Sequence, residues 1–311
     1  MTDPKKFLST REVAQFLDVN EKMVYALVSE KGLPATKVTG KWRFPLDLVE
    51  KWLEIHVVNP PREDAGRFPE GLLVLAGSHD ILLERAAALF SRENPGMTTA
   101  LANLGSLSGI RALARGHCHA ALSHLIQEDG QEYNFEAAFA ELPGDTPVVV
   151  NMSRREQGLV VAKGNPLSLS AVADLVPAGA RVANRPRGTG TRLLLDRELA
   201  RAGHAPESLP GYDREFRGHL DAGLEVLSGR ADAALAIRPA AHLLGLDFIP
   251  LTWERFDLVT LRSRFFDRPL QLFLALLKTP AFADLAAGLP GYDLSLTGRM
   301  VYPHEQPGGP V

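Results

Sequence analysis

Four short stretches place glycine beside a hydroxyl or imidazole side chain just ahead of an amphipathic run: AGSHD at 76–80, LGSLSG at 104–109, RGTGTR at 187–192 and RGHLD at 217–221. The chemistry this pattern offers is anion binding. The first amides of a helix have no acceptor within the helix, and the aligned peptide dipoles leave partial positive charge there. Glycine lets a ligand approach the backbone, and a hydroxyl adds a donor. Candidate ligand contacts are the hydroxyls of Ser78, Ser106, Thr189 and Thr191, the backbone amides of His79, Gly190 and Thr191, and the ring of His219. Arg154 and either Arg185 or Arg187 are the candidate charged groups. Asp80 is a carboxylate that offers an acceptor to a protonated anion such as phosphate, although a place in the first turn of its helix, where it favours the dipole, is the preferred reading.

RGTGTR lacks the Lys-Ser/Thr ending of a P-loop, and Leu193 stands where a dinucleotide fingerprint needs its third glycine. A nucleotide loop, a turn without ligand and an anion cradle remain as readings; recurrence favours the cradle. Residues 105–122 (GSLSGIRALARGHCHAAL) align with 218–235 (GHLDAGLEVLSGRADAAL), and the same offset pairs Gly77-Ser78 with Gly190-Thr191. Two copies of one strand–helix–strand pattern predict two similar lobes facing a shared cleft.

The elements that must position these corners alternate along the chain. Short strands are expected at 71–76, 98–103, 118–123, 146–152, 158–162, 180–184, 232–237, 247–251 and 257–261, with helices between them, among them 80–92, 107–115, 191–202 and 219–228. This is the pattern of an α/β domain. The segment GHCHAALSHL gathers His117, Cys118, His119 and His124, yet a strand puts 117 and 119 on one face and Cys118 on the other. The repeat pairs Cys118 with Ala231, so core packing is expected and a metal is not. No Ser-His-Asp order or carboxylate pair with definable geometry is visible, so the chain is expected to bind rather than to turn over a substrate, and no cofactor is expected.

The first 57 residues differ in kind. Ser9-Thr10-Arg11-Glu12 has capping-box spacing, Asn20 caps a second helix over 21–31, and two short strands turn at Thr39-Gly40 before Pro45 opens a third helix. Residues 58–70 (VNPPREDAGRFPE) read as a linker, 71–300 as the second domain and 301–311 as a tail. Within 71–300, lobe 1 is expected over about 71–148 and 237–300, and lobe 2 over about 149–236. Residues 1–57 hold nine Lys/Arg and eight Asp/Glu, so any contact with nucleic acid has to come from a local patch. The whole chain has a net charge of -3, one cysteine and no apolar run long enough to span a bilayer, and its first residues carry no apolar signal core. A cytoplasmic protein without membrane contact is the expectation.

STREVAQFLDVNEKMVYALVSEKGLPATKVTGKWRF resembles the excisionase-like, MerR-related winged helix-turn-helix family. The resemblance implies DNA contact by Glu21, Lys22 and Tyr25 at the start of the second helix and by Lys37, Lys41 and Arg43 of the wing. AGSHDILLERAAALF, ANRPRGTGTRLLLDREL and LSGRADAALAIRPAAHLLGLDFIPLTWERFDLV are similar to the periplasmic-binding-protein-like domain found fused to helix-turn-helix segments, and to periplasmic molybdate- and tungstate-binding proteins. The implied architecture is an N-terminal winged helix-turn-helix plus an α/β two-lobed type II periplasmic-binding-protein-like domain. The implied function is a one-component transcriptional regulator with molybdate or tungstate as effector. Its expected partners are a double-stranded DNA operator, a small oxyanion and a second copy of the chain. A molybdenum-cofactor-related enzyme or binding protein using the same cleft is the alternative. His79 occupies a slot where the periplasmic relatives carry a hydroxyl, which bears on the choice of ligand.

Overall fold

The computed structural model describes residues 7–38, 40–57, 68–126, 133–142 and 145–302. Thr39 of the expected wing turn, most of the linker and the tail beyond Tyr302 lie outside the described residues. The chain forms two compact units, Met1–Ala65 and Gly66–Val311.

In the first unit the order is β1 (Phe7–Leu8), α1 (Thr10–Phe16), α2 (Glu21–Glu30), β2 (Thr36–Val38), β3 (Lys41–Pro45) and α3 (Leu46–Ile55). Its boundaries follow from local chemistry. The Ser9 amide donates to the Glu12 carboxylate at 2.8 Å while the Glu12 amide donates to Ser9 Oγ, so the two residues satisfy each other at the start of α1. The Met23 amide donates to Asn20 Oδ1 at 2.9 Å and starts α2. A three-stranded sheet, β1-β3-β2, closes over Val13, Val24, Leu33, Phe44 and Val49.

The second unit runs through β4 (Leu72–Gly77), α4 (Ile81–Glu93), β5 (Thr98–Asn103), α5 (Ser106–Ala114), β6 (Ala120–Ser123), α6 (Phe135–Glu141) and β7 (Pro147–Val161). It continues with β8 (Val182–Ala183), α7 (Gly190–Arg201), α8 (His219–Leu227), β9 (Ala233–Ile237), α9 (Arg238–Leu244) and β10 (Asp247–Leu261). Helices α10 (Arg268–Leu276) and α11 (Pro280–Ala287) and strands β11 (Tyr292–Asp293) and β12 (Met300–Tyr302) complete it. The strands join in the order β5-β4-β6-β10-β7-β9-β8, and β11 and β12 add to β7. β4, β5 and β6 are parallel, as are β8 and β9, so each lobe has its own strand–helix repeat. The antiparallel pair β7 and β10 runs through both.

That pair corrects the sequence reading. Four short strands were expected at 146–152, 158–162, 247–251 and 257–261; β7 and β10 are single strands of 15 residues each. The intervening SRREQ and TWERF segments look like breaks because they are polar. Ser153, Arg155 and Gln157 are nonetheless fully buried, and Arg155 pairs in register with Glu254. Polar residues can occupy a buried ladder when their side chains find partners.

The repeat has a structural counterpart. Gly105 precedes α5 and Gly218 precedes α8, and the first residues of these helices, Ser106 and His219, are both fully buried. Cys118 and Ala231 both sit in apolar core clusters, and burial drives the Cys118 thiol up to about 12. Among the described residues no single helix is long and apolar enough to cross a membrane.

Candidate ligand-binding site

Where β4 ends, the chain must turn sharply under β6. Gly77 has φ +127°, and a Cβ there would lie 2.3 Å from the Leu122 carbonyl oxygen, so only glycine fits. Ser78 follows. Asp80 then caps α4, its Oδ1 accepting from the Leu83 amide at 2.9 Å. In the other lobe Thr189 caps α7: its Oγ1 accepts from the Arg192 amide at 3.3 Å and donates to the Pro186 carbonyl at 2.9 Å. The next two amides, of Gly190 and Thr191, lie in the first turn of α7, where the helix supplies no acceptor.

These corners meet. A Cβ on Gly190 would stand 2.5 Å from the His124 imidazole, and one on Gly105 would stand 3.5 Å from Thr189 Cγ2. Asn103 Nδ2 donates to the Arg217 carbonyl at 3.1 Å, and the His79 and His219 rings are 6.0 Å apart. The starts of α4, α5, α7 and α8 therefore converge between the lobes. A recess of about 80 Å³ beside Ser78 and His79 is walled by Leu83, Leu101 and Asn103 of one lobe alone, so it flanks the interlobe space.

The floor of this space is a network on the two long strands. Arg155 donates through Nε to Glu254 at 2.6 Å and through Nη1 to Asp80 Oδ2 at 2.9 Å, and its guanidinium lies 4.1 Å over Phe256. Asp80 Oδ2 also accepts from the Tyr292 hydroxyl at 2.9 Å. Glu254 Oε2 lies 2.8 Å from His124 Nδ1, and His124 Nε2 lies 2.9 Å from Ser78 Oγ. Gln157 Nε2 donates to Thr191 Oγ1 at 3.1 Å. Burial opposes charge on Glu254, but His124 and Arg155 outweigh it and hold the carboxylate well below its ordinary range. Burial, with Arg155 and Arg185 nearby, pushes His124 below the usual histidine value despite Glu254, leaving the ring neutral.

What the network leaves over defines the site. Arg155 Nη2, Arg185 Nε, both ring nitrogens of His219, His79 Nδ1 and Gln157 Oε1 are buried with no hydrogen-bond partner among the described residues. Burial first, then Arg155, lowers Arg185 to about 10. Burial and then Arg185, Arg155, His79 and His124 push His219 far down. Arg185 has no carboxylate within ion-pair distance among the described residues, unlike Arg155.

The structure brings Ser78, His79, Ser106, Arg185, Thr189, Gly190, Thr191 and His219 together. Arg154 falls elsewhere: it is half-exposed, 3.2 Å from Asp293 and stacked over Trp253. Thr189 is present, but its hydroxyl proton is used on Pro186. Asp80 stands at the start of α4, as its preferred reading has it, and accepts from the Leu83 amide, Arg155 and Tyr292. Sequence reasoning missed Arg155, Gln157 and Glu254, and treated His124 only as a member of a histidine cluster. It also missed the Ser78–His124–Glu254 string, whose members come from 78, 124 and 254. Among the described residues no group of three His, Cys, Asp or Glu side chains is placed to hold a metal.

In the first unit Glu21, Lys22 and Tyr25 are exposed at the start of α2. Lys41 and Arg43 are exposed on β3, opposite Val38 and Thr36. Lys37 pairs with Trp42 on the other face and lies 5.6 Å over its ring.

Comparison with known proteins agrees with both units. Residues 7–54 match the model of a helix-turn-helix domain and residues 87–278 that of the PBP superfamily domain. The uncharacterized protein YvgK of Bacillus subtilis is 30% identical over 299 residues, covering 93% of this chain and 96% of that one. An uncharacterized Clostridium pasteurianum protein encoded in the 5′ region of a 2Fe-2S ferredoxin gene is 34% identical over 111 residues, covering 35% of this chain and 97% of its own. Among solved structures, a putative phosphate ABC transporter substrate-binding protein from Clostridium perfringens, with bound phosphate, superposes with a TM-score of 0.51 at 14% identity, covering 70% of this chain and 97% of that one. A tungstate ABC transporter structure from Geobacter sulfurreducens gives 0.50 at 14% identity, covering 71% and 100%. With its N-terminal helix-turn-helix and the two-lobed α/β architecture of type II periplasmic binding proteins, the chain belongs to the PBP superfamily.

Proposed function

We propose that the chain is a cytoplasmic one-component transcriptional regulator. In this reading a tetrahedral oxyanion, molybdate or tungstate, binds between the lobes and changes how a dimer of helix-turn-helix units holds its operator. The observation that carries it is the set of buried unpaired donors: Arg155 Nη2, Arg185 Nε and the His219 ring at the meeting of four helix starts. A buried polar group without a partner costs about 1–3 kcal/mol, and more if charged. An anion repays that cost at several groups at once. Ser106 and Thr191 add hydroxyls, Gly190 and Thr191 add amides, and His79 completes the rim. A DNA-binding unit in the same chain gives binding a consequence, provided the anion favours one arrangement of the DNA-binding units over another.

A coupling of about 1–3 kcal/mol changes operator affinity roughly 5–150-fold. The test is operator affinity of the full chain, on a duplex selected from a random pool, titrated with molybdate, tungstate, sulfate and phosphate. A shift with molybdate or tungstate is expected; no shift with any of the four removes the sensing claim. For DNA contact, Lys41→Ala is expected to weaken binding similarly across sequences and to lower the slope of log affinity against log salt by about 1. An unchanged slope removes Lys41 from the interface.

One observation favours a second reading, an enzyme or molybdenum-cofactor-handling protein acting in the same cleft. Ser78, His124 and Glu254 follow the hydroxyl–imidazole–carboxylate order of an activated serine, with Arg155 beside them. Labelling of Ser78 by a serine-directed fluorophosphonate, or turnover of a pterin substrate, would decide for it.

A further inference from the structure

We propose that His124 and Glu254 set whether Ser78 can donate to the ligand, so that the cleft takes up about one proton with each fully deprotonated tetrahedral oxyanion and none with an oxyanion that brings its own. This rests on the oxyanion reading above and deepens it. The starting point is the direction of the hydrogen bonds. Glu254 Oε2 is 2.8 Å from His124 Nδ1, and a carboxylate there selects the tautomer with its proton on Nδ1. In the neutral ring Nε2 is then a lone pair, and the contact of 2.9 Å to Ser78 Oγ requires the serine hydroxyl to donate. A hydroxyl has one proton. Ser78 therefore shows the interlobe space only lone pairs, which repel an oxyanion's bare oxygen and accept from its OH group.

A second proton on the imidazole reverses this. Nε2–H then donates to Ser78 Oγ, and the serine proton is released toward the anion. The other carboxylates cannot take the ligand's proton in its place. Asp80 is occupied by the Leu83 amide, Arg155 and Tyr292, and Glu254 by Arg155 and His124. Gln157 Oε1, buried without a donor, is a second acceptor for a ligand that carries a proton.

The groups facing His124 fix the sign. Glu254 on β10 favours the imidazolium; Arg155 on β7 and Arg185 ahead of α7 oppose it, as does burial. His219 on α8 and His79 after β4 lie in the same space, both near enough to affect each other. Without ligand the ring is neutral. A dianion adds attraction for the imidazolium. Where the oxygen facing Ser78 is bare, the serine proton freed by the second imidazole proton adds a hydrogen bond, and the two together turn the balance. Hydrogen phosphate, equally charged, gives its own OH to Ser78 and leaves the ring neutral. Affinity for molybdate or tungstate then rises about tenfold for each pH unit of acidification between the anion-bound and the ligand-free titrations of His124, and is flat outside that window.

The experiment is calorimetric titration of the full chain with sodium tungstate at about pH 8, in two buffers of different ionisation heat, which counts protons bound with the anion. About one proton is expected for the wild type and none for His124→Gln, whose amide donates to Ser78 without titrating. Hydrogen phosphate, already protonated, should bind without uptake. Tungstate binding with no proton taken up overturns the proposal and leaves the oxyanion reading standing. Proton uptake that persists in His124→Gln overturns it too, since the proton then resides on another group. Failure of the wild type to bind any oxyanion removes the oxyanion reading itself. If His124→Gln does not fold, the wild-type counts for tungstate and phosphate still decide: equal counts overturn the proposal.

Discussion

Replacing Arg185 with glutamine is expected to weaken tungstate or molybdate binding at least about a hundredfold, close to 3 kcal/mol. Arg185 is 2% exposed, and its guanidinium has no carboxylate partner among the described residues. Its Nη1 reaches only the Phe216 carbonyl at 3.0 Å, and its Nε is unpaired. Arg185 is thus a desolvated charge without an ion-pair partner, which on the oxyanion reading the anion supplies. Glutamine keeps a donor and loses the charge. Removing an uncompensated buried charge does not destabilise a fold, so the ligand-free variant should melt at the same temperature or higher. Lost affinity with unchanged or raised melting temperature separates a ligand contact from a structural arginine. Arg154→Gln is the matched control; paired with Asp293 outside the buried cluster, it should change affinity by no more than about twofold. Calorimetry and thermal unfolding of both variants check this, and equal losses in the two would contradict the assignment.

Gly190→Ala is the second large effect. The added methyl would stand 2.5 Å from His124 Cε1 and Nδ1 and 2.9 Å from its carbonyl oxygen. Carbon atoms rest at about 3.5–4.0 Å, so the lobes cannot approach as they do now. His124 cannot swing aside without giving up Glu254 and Ser78. The expected outcome is anion affinity reduced tenfold or more, with ligand-free operator affinity retained and its response to anion lost. Solution scattering with and without tungstate should show no compaction in this variant. If Gly190→Ala still responds like the wild type, closure over His124 is not part of the mechanism.

Much of this was legible in the sequence because its causes are local. The Ser9–Glu12 box and the Asn20 cap are written within four residues, and the structure shows both. The glycine corners at 77 and 190 were visible because strand, turn and helix succeed one another along the chain. The cleft floor was not legible, for a physical reason. Arg155, Gln157, His124 and Glu254 come from three segments and meet only through sheet pairing. Polarity also disguised them: SRREQ looks like a loop until the long ladder is known. Choosing Arg154 over Arg155 is an error of parity. Alternate residues of a strand face opposite sides, so one step moves a side chain from the cleft to the surface. The alternation itself, 153, 155 and 157 against 154 and 156, was present, but nothing local says which set faces inward. Thr189 illustrates a different limit. Its residue type fits a ligand contact and a helix cap equally; here the hydroxyl accepts from the Arg192 amide as a cap and gives its proton to the Pro186 carbonyl.

The lone thiol has a practical consequence. Cys118 is fully buried and its thiol is driven up to about 12, so it presents almost no thiolate to a maleimide at neutral pH. Fluorophores can therefore be attached to cysteines introduced at the exposed positions Arg115 and Glu207, on opposite lobes, without first stripping the natural residue. Energy transfer between such a pair would follow the jaw-like motion of single molecules as anion is added, in protein otherwise unaltered.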